Sequence, residues 1–343
     1  MLKPDAPLSI NLWPEWRKLT WLAGFVGAIP HWRQNTLAIV RMAIEARGIL
    51  LDIAAREGIE FARTDRGVLH LHTTDAGVAA ARHVHEVFRE AGLEVKPVGA
   101  SAIREIEPAI VPAYAGASYS ADDFTGDVHA FSRGLAEVCL RRGADFRFGT
   151  VVREVASDAG GVRIVEASGT ETRADAVVVC AGVASRDIAG RLGDSIPIYP
   201  VKGYSLTVEL NDEASRAAAP RCGIVDENAR IVAARIAEDR LRIAGTAELA
   251  GANLDIREVR IRPLADWCRR VFPDVSTERM TPWAGLRPMV PSMQPRVGPG
   301  RRPGVFYNTG HGYLGWTLGT ATAVSIADTV AETLGARQAM PSN

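Results

Sequence analysis

The sequence predicts a mixed α/β (α+β) fold in which two domains are interleaved along the chain. Residues 176–181 form a continuous apolar run closed by Gly182, as expected for a parallel strand buried on both faces. Residues 199–245 instead alternate like antiparallel strands, and residues 231–235 and 240–244 flank a polar turn. Because the two patterns succeed one another without a linker, we expect interleaved domains rather than two in tandem.

The remaining elements follow from apolar periodicity and from capping residues. The clearest helix spans residues 35–57, with apolar side chains along one side and Gly58 just past its end. Further helices are predicted over residues 75–91, 128–142 with Asp127 as the cap, and 255–272, which Pro263 should kink or restart. Short strands are predicted over residues 59–63, 68–72, 93–98, 146–148, 151–155 and 162–166.

Composition argues against several classes of protein. Forty basic residues balance 40 acidic residues in a chain of 343, so no net field favours nucleic acid. The four cysteines are scattered without a Cys-x-x-Cys pair, which argues against zinc and thiol-exchange chemistry. His70, His72, His83 and His85 have no partner at ligand spacing, so no metal is predicted.

The N-terminal segment bears on location. It has no signal-peptide pattern, and no apolar run is long enough to span a bilayer, so we expect a cytoplasmic protein. Between residues 12 and 26, tryptophan, leucine and phenylalanine recur at near-helical spacing, with Arg17 and Lys18 among them. This pattern fits a helix lying peripherally on the inner face of the membrane. It also fits a helix packed on its own domain.

The last quarter of the chain carries the strongest signals for a ligand site. Residues 285–291 read Gly-Leu-Arg-Pro-Met-Val-Pro, and residues 308–316 read Asn-Thr-Gly-His-Gly-Tyr-Leu-Gly-Trp before a helix rich in small residues. The Arg287 guanidinium can bind a carboxylate as a bidentate fork. Glycines before a helix let backbone amides approach a ring or a phosphate. The sequence therefore predicts a bound anionic ligand.

Four segments carry a resemblance to a known family. They are residues 122–127 (Asp-Asp-Phe-Thr-Gly-Asp), 199–205 (Tyr-Pro-Val-Lys-Gly-Tyr-Ser), 283–291 and 308–317. Together they resemble the flavin-dependent D-amino-acid oxidase superfamily, and within it the small subunits of D-amino-acid dehydrogenases. The match is collinear and covers nearly the whole chain.

The resemblance implies a domain organisation. An FAD-binding Rossmann-like domain is expected over residues 128–195 and 296–337. Helices and an antiparallel-sheet substrate domain are expected over residues 1–127 and 196–295. Family members begin with a strand, a Gly-x-Gly-x-x-Gly turn and a helix, and this sequence has no counterpart of that unit. The FAD-binding domain is therefore expected to be incomplete, through a misassigned start codon, a gene remnant or a second polypeptide that supplies the unit.

The resemblance also implies roles for individual residues. Arg287 is expected to bind the substrate carboxylate, with a surface or interdomain ion pair as the alternative. Tyr204 either assists that grip or is a buried tyrosine satisfied by the backbone. His311 lines the flavin, or acts as a general base. The implied cofactor contacts are Val151, Val152, Gly182, Gly310, His311, Gly312, Tyr313, Leu314 and Gly315.

The implied activity is oxidative deamination of small D-amino acids to 2-oxo acids, with hydride transfer from Cα to flavin N5. Electrons are expected to leave to an acceptor such as a quinone rather than to oxygen. Two alternatives stay open. In the first, the chain is a dehydrogenase of secondary amines such as D-proline, hydroxyproline or sarcosine. In the second, it is a non-catalytic remnant or partner subunit of a flavoenzyme.

Overall fold

The structure, a computed structural model, describes residues 6–158 and 160–339, with side chains as far as residue 336. The helices are α1 (Trp16–Ala28), α2 (Trp32–Glu57), α3 (Asp75–Glu90), α4 (Ala100–Ile106), α5 (Val128–Arg141), α6 (Ser185–Arg191), α7 (Glu213–Ala218), α8 (Glu258–Val271) and α9 (Gly315–Ala339). The strands are β1 (Leu8–Ile10), β2 (Val68–His72), β3 (Lys96–Gly99), β4 (Gly116–Ser120), β5 (Val152–Asp158), β6 (Gly161–Glu166), β7 (Glu171–Ala174), β8 (Val177–Val179), β9 (Tyr199–Glu209), β10 (Gly223–Asp226), β11 (Ile231–Ala237), β12 (Arg240–Leu249), β13 (Met280–Met289), β14 (Arg296–Pro299) and β15 (Val305–Thr309). The chain divides into two compact units.

The first unit comprises the chain up to Trp13, Ala54–Glu137 and Val201–Leu286. It is built on a nine-stranded sheet in the order β13-β9-β12-β11-β10-β2-β4-β3, with β1 paired to β12. The antiparallel hairpin β11–β12 confirms the sequence prediction, since Ala233 lies opposite Ile243 in its register. This unit therefore contains the predicted antiparallel sheet.

One face of this sheet packs against α8. Leu206 of β9 and Ile243 of β12 share a buried core with Leu264 and Cys268 of α8. Burial of that apolar stripe keeps α8 helical through Pro263, so the helix does not restart there.

The strand predicted over residues 59–63 is not formed. Ile59 and Phe61 are nevertheless buried. The Phe61 ring meets the Phe131 ring of α5 edge-on, with centroids 5.6 Å apart. The alternating pattern therefore reflects side chains packed on a helix, not hydrogen bonds to a neighbouring strand.

The second unit comprises Pro14–Ile53, Val138–Pro200 and the chain from Arg287 onwards. Its central sheet has the order β14-β15-β8, in which β8 runs parallel to β15 and forms one edge. A second, antiparallel sheet has the order β5-β6-β7. The strand predicted over residues 146–148 is not formed, and the Phe146 and Phe148 rings stack on each other with centroids 5.5 Å apart.

Helix α1, and α2 as far as Ile53, belong to the second unit, whereas the sequence predicted residues 1–127 to lie with the antiparallel domain. The Trp21 Nε1–H of α1 donates to the carbonyl oxygen of Met289 at 2.8 Å. The Thr320 hydroxyl of α9 donates to the carbonyl oxygen of Ala46 in α2 at 2.7 Å. Periodicity shows that a helix has a buried face, but it does not show which unit covers that face.

Candidate functional site

Strands β8 and β15 of the second unit end side by side. They are parallel, and Val179 lies opposite Tyr307 in their register. From these ends, one turn leads through Gly182 into α6, and the other leads through residues 310–314 into α9. In parallel sheets, ligands bind outside the carboxyl ends of the strands. This edge of the sheet is therefore the candidate site.

Two buried hydroxyl groups join the two turns. Thr309 Oγ1 lies 2.9 Å from Ser185 Oγ and 3.3 Å from the carbonyl oxygen of Gly182. The Thr309 hydroxyl can donate to Gly182 while it accepts from Ser185. Sequence reasoning missed Thr309. The only signal for it was its position at the end of a strand, directly before Gly310.

The predicted glycines hold conformations that favour glycine. Gly182, Gly310 and Gly312 have φ angles of +55°, +81° and +60°. A β-carbon on Gly312 would lie 2.6 Å from the Met289 sulfur, and one on Gly310 would lie 2.9 Å from Val290 Cγ1. A β-carbon on Gly182 would meet no atom within 4 Å. The backbone at Gly182 is thus open to a close neighbour.

The glycine-rich turn is anchored on both sides before α9 begins. The Gly312 N–H donates to the carbonyl oxygen of Pro288 at 3.1 Å, and the Leu314 N–H donates to that of His311 at 3.0 Å. Gly315 then starts α9. First-turn amides of a helix have no intrahelical acceptor and favour negative charge. The predicted order of turn and helix is therefore present.

His311 is tied to α9 by its ring. Its Nε2 lies 2.9 Å from the Thr322 Oγ1, and the Thr322 hydroxyl donates to the carbonyl oxygen of Gly319 at 3.0 Å. Because a hydroxyl carries one hydrogen, this arrangement makes Nε2–H the donor and assigns the Nε2–H tautomer. Burial lowers the pKa of His311. The ring is therefore neutral at pH 7, with Nδ1 as the nitrogen that can accept a proton.

Arg287 lies on β13, two residues before the strand ends at Met289. Its side chain is largely desolvated, and this burial lowers the pKa of the guanidinium, which the electrostatic influence of Tyr313 partly offsets. Tyr313 itself is 63% exposed. A desolvated guanidinium gains most from a carboxylate, because the fork matches both oxygens.

Val151 and Val152 lie where β5 begins, with exposed fractions of 66% and 44%. The Val151 carbonyl oxygen accepts from the Ala167 N–H at 2.8 Å. The predicted adenine contact through this backbone stays a prediction.

Tyr204 lies in the first unit and is fully buried. Its hydroxyl donates to Glu248 Oε2 at 2.6 Å. The reading of Tyr204 as a free hydroxyl for the substrate carboxylate therefore needs correction, since the group already has a strong acceptor. The alternative of a buried, satisfied tyrosine holds, with a side-chain carboxylate as the main partner rather than the backbone. Glu248 lies on β12, so local sequence carried no signal for the pair.

No group of three or more His, Cys, Asp or Glu side chains that could hold a metal ion occurs in the part of the chain that the structure describes. Three of these four histidines lie close to other side chains, and His83 Nδ1 is 3.6 Å from Glu86 Oε2. His70 Nδ1 lies 2.9 Å from Glu227 Oε1, and His72 Nε2 lies 3.1 Å from Ser118 Oγ.

The fold and the site define an FAD dependent oxidoreductase. The sequence pattern of the FAD dependent oxidoreductase (DAO) family matches residues 14–329, so the chain belongs to this family. D-amino acid dehydrogenase 3 of Mesorhizobium japonicum is 48% identical over 336 residues, which are 97% of this chain and 82% of that protein. A D-amino acid dehydrogenase of Dechloromonas aromatica is 37% identical over 343 residues, covering 96% of this chain and 80% of that protein.

Solved structures show the same fold at lower identity. Glycine oxidase from Geobacillus kaustophilus superimposes with a TM-score of 0.77 at 24% identity, over 85% of this chain and 78% of that one. L-proline dehydrogenase from P. horikoshii superimposes with a TM-score of 0.75 at 16% identity, over 85% and 78%. These likenesses confirm the mixed α/β fold class.

The residues at the candidate site fit the FAD that this family requires. Gly182 leaves open space beside its backbone, where a planar group can approach. The Asn308 Oδ1 is buried without a hydrogen-bond partner among residues 6–158 and 160–336, so it is an acceptor that a ligand donor would satisfy. The start of α9 favours negative charge nearby.

Proposed function

We propose that the chain catalyses FAD-dependent oxidative deamination of D-amino acids to 2-oxo acids and ammonia. The observation that carries this proposal is the desolvated Arg287 guanidinium on β13. The next residue on the strand, Pro288, accepts the Gly312 N–H, so Arg287 is adjacent in the chain to a residue that contacts the glycine-rich turn. The chemistry that FAD would supply when bound is acceptance of a hydride from the substrate Cα. The resulting imino acid hydrolyses in water to the 2-oxo acid and ammonia.

In this proposal, Arg287 binds the substrate carboxylate and sets the orientation of the Cα–H bond. A bidentate guanidinium–carboxylate pair constrains both distance and direction, which a single charge would not. The glycines Gly182, Gly310, Gly312 and Gly315 let the backbone approach the cofactor. His311, Tyr313 and Leu314 line the same turn, and Val151 and Val152 approach the adenine end.

His311 is proposed as a neutral side chain of the cofactor pocket. Its Nε2–H is held by Thr322. Only Nδ1 can therefore take a proton from the substrate ammonium group. Burial lowers the pKa of His311, which makes the ring a weak base. We therefore expect proton transfer to His311 to assist the reaction only when the substrate binds with its amino group protonated.

The test measures cofactor binding first and turnover second. The purified chain is incubated with FAD and separated from unbound cofactor, and its flavin absorbance is recorded. Anaerobic addition of D-alanine should bleach that absorbance, whereas L-alanine should not. A chain that stays colourless after incubation with FAD contradicts the proposal and favours a non-catalytic partner subunit.

Replacement of Arg287 tests the binding role. Arg287→Leu should raise the KM for D-alanine by about tenfold to a hundredfold, the loss expected for a charge-assisted bidentate pair. Arg301→Leu is the matched control, because Arg301 is an arginine of the same unit with its side chain 81% exposed. Saturation of the Arg287 variant at the normal D-alanine concentration would rule out the role.

Substrate profiling separates the enzymatic alternative. D-proline, hydroxyproline and sarcosine carry a secondary amine, whereas D-alanine and D-serine carry a primary amine. Faster bleaching with the secondary amines would assign the chain to that class of dehydrogenase. We expect the primary amines to react faster, because the chain is similar to proteins named D-amino acid dehydrogenase.

The electron acceptor is proposed to be a membrane quinone, reached by peripheral contact of α1. None of the described helices is long and apolar enough to cross a bilayer. Trp16, Leu19 and Val26 of α1 are 78%, 50% and 63% exposed, which suits an interfacial surface. Lys18, in contrast, is buried.

Sedimentation with vesicles of anionic phospholipid tests this contact. The wild-type chain should sediment with the vesicles, and the double variant Trp16→Ser, Val26→Ser should remain in the supernatant. Leu254→Ser removes an apolar side chain of the first unit that is 56% exposed, and it should sediment like the wild type. Equal sedimentation of all three proteins would exclude α1 as the contact.

A further inference from the structure

Met289, the last residue of β13, packs on the glycine-rich turn of the second unit. Its backbone forms an antiparallel bridge with His311, and a β-carbon on Gly312 would lie 2.6 Å from its sulfur. The carbonyl oxygen of the preceding residue, Pro288, accepts the Gly312 N–H at 3.1 Å. All four residues belong to the second unit. The end of β13 therefore lies directly against the turn that we propose to hold the cofactor.

Helix α1 of the same unit also contacts Met289. The Trp21 Nε1–H donates to the Met289 carbonyl oxygen at 2.8 Å, and each residue is only 7% exposed. Because the bond is buried, water cannot readily replace the indole as the donor, and loss of the N–H costs free energy. Trp21 is therefore the side chain that holds the Met289 carbonyl oxygen.

The indole of Trp21 is itself held by aromatic neighbours. It stacks on the Phe25 ring with centroids 5.5 Å apart and planes 10° apart, and its centroid lies 6.2 Å from that of the Tyr199 ring. The Tyr199 hydroxyl donates to Oε2 of Glu15, the residue before α1, at 2.9 Å. Such ring pairs favour particular geometries. The indole therefore has a defined position from which it holds the end of β13.

The helices contact the chain again just after Met289. A β-carbon on Gly24 of α1 would lie 3.1 Å from Pro291 Cγ, so the helix backbone approaches the proline ring closely. The Asn35 Nδ2 of α2 donates to the Ser292 carbonyl oxygen at 3.3 Å. Residues 289, 291 and 292 are therefore held by α1 and α2, while residues 288 and 289 contact the glycine-rich turn.

We propose that Trp21 is a positioning residue for substrate binding, which fixes the part of β13 that carries Arg287 against the glycine-rich turn by holding the Met289 carbonyl oxygen. Arg287 lies two residues before Met289, and Tyr313 of that turn influences its guanidinium electrostatically. A guanidinium orients a bound substrate only if its own distance from the cofactor is fixed. The role of Trp21 deepens the proposed function, because it rests on Arg287 as the group that binds the substrate carboxylate.

A double-mutant cycle tests whether Trp21 acts through Arg287. Trp21→Phe keeps a ring beside Phe25 and removes the N–H. In the chain loaded with FAD it should lower kcat/KM for D-alanine about threefold to tenfold, the loss expected for one neutral hydrogen bond. In the Arg287→Leu background the same change should alter kcat/KM by less than about twofold, because the group that Trp21 positions is gone. Equal losses in both backgrounds, or no loss in the wild-type background, would overturn the inference.

Trp267→Phe is the matched control for stability. Trp267 lies in the first unit, is 3% exposed, and donates its Nε1–H to Asp226 Oδ2 at 2.9 Å. Since its acceptor is a carboxylate, the control should lower the thermal midpoint of unfolding at least as much as Trp21→Phe. It should nevertheless leave kcat/KM for D-alanine unchanged. A comparable loss of kcat/KM in the control would overturn the inference, because lost stability alone would then explain the effect.

A glycine pair on α1 keeps the inference testable if Trp21→Phe does not fold. Alanine at position 24 brings a β-carbon against Pro291, whereas alanine at position 27 meets no atom within 4 Å. Both replacements raise helix propensity. Gly24→Ala should lower kcat/KM for D-alanine at least about threefold through displacement of the strand end, and Gly27→Ala should not. Equal kcat/KM values for the two variants would overturn the inference.

Binding without turnover separates this inference from the proposed function. Propionate carries the carboxylate of alanine without the amine, and titration calorimetry measures its binding to the full chain. Trp21→Phe should weaken propionate binding about threefold to tenfold, and Trp267→Phe should not. Trp21-dependent binding of propionate without oxidation of any D-amino acid would leave the positioning role standing and overturn the function. Oxidation of D-alanine with the same kcat/KM in Trp21→Phe as in the wild type would do the reverse.

Discussion

Thr309 Oγ1 lies 2.9 Å from Ser185 Oγ, and this contact joins the turn after β8 to the turn after β15. Both residues are buried, at 2% and 0% exposure, so water cannot replace either partner. This pair of hydroxyl groups, together with the contact of Thr309 Oγ1 to the Gly182 carbonyl oxygen, links the two turns beyond the paired ends of β8 and β15. Both turns carry residues that we propose as cofactor contacts, so we expect loss of the pair to affect cofactor binding.

Thr309→Val tests this dependence. Valine keeps the shape of threonine but leaves the Ser185 hydroxyl buried without its partner, which should cost about 1–3 kcal/mol of the free energy of unfolding. The affinity for FAD should fall in parallel. Urea denaturation and flavin titration measure the two effects. Thr329→Val, in which the lost bond lies within α9, should change neither by a comparable amount.

Gly312→Ala should destabilise the chain more than Gly315→Ala. Residue 312 has a φ angle of +60°, and a β-carbon there would lie 2.6 Å from the Met289 sulfur. Strain and overpacking together cost about 1–3 kcal/mol. A β-carbon on Gly315 meets no atom within 4 Å, so that variant is the control. Equal thermal midpoints of unfolding for the two variants would contradict the conclusion that position 312 requires glycine.

Tyr204→Phe separates a structural from a substrate-binding tyrosine. The variant removes the hydrogen bond to Glu248, which is 4% exposed, so the free energy of unfolding should fall by about 1–3 kcal/mol while the KM for D-alanine stays constant. Tyr119→Phe removes a more exposed hydroxyl bond to Arg66 and serves as the control. A raised KM with unchanged stability would restore the substrate role.

The pH dependence of stability should include a contribution from His311. Its folded-state pKa is below the ordinary value of 6.5, so below about pH 6.5 the unfolded chain binds more protons than the folded chain. Stability should therefore decrease as the pH falls from 6.5 towards the folded-state pKa, with a slope of at most about 1.4 kcal/mol per pH unit for this residue.

His311→Gln should reduce that slope, because glutamine does not titrate and can still donate to Thr322. Denaturation curves at pH 7.5, 6.5 and 5.5 give the measurement. Because burial also lowers the pKa of His72 and His85, part of the slope should remain in the variant. His83→Gln, on an exposed face of α3, is the comparison variant. An unchanged slope in His311→Gln would show that the ring is not desolvated.

Sequence reasoning predicted the elements that local pattern determines. Helix α2 and the β11–β12 hairpin lie where periodicity and a polar turn placed them. Asp127 caps α5, accepting from the backbone N–H groups of His129 and Ala130 at 2.8 and 3.2 Å. Each of these features depends on residues close together in the chain, so a single sequence contains the information.

Elements that depend on distant partners were not predictable in the same way. Ile59 and Phe61 are buried whereas Glu60 and Ala62 are exposed, yet the partner of Phe61 is the helix residue Phe131. Alternation reports burial on one side and is silent about hydrogen bonds to a strand. The assignment of α1 to the second unit likewise depends on Trp21 reaching the Met289 carbonyl oxygen.

The same limit applies to the candidate site. Gly310 and Gly312 were predicted because a glycine-rich turn before a helix is a local signal. The Tyr204–Glu248 bond joins two strands, and no spacing in the sequence indicates it. Register within a sheet decides which polar side chains meet, and register is a property of the fold.

The short strand β8 has a consequence for handling the protein. Its three residues pair with β15 on one side, and its other side pairs with no strand in the portion of the chain that is described. Unpaired peptide groups along a sheet margin act as a template for any extended peptide. Concentrated samples of the wild-type chain should therefore self-associate through Val177–Val179. The variant Val178→Pro should remain monodisperse at the same concentration.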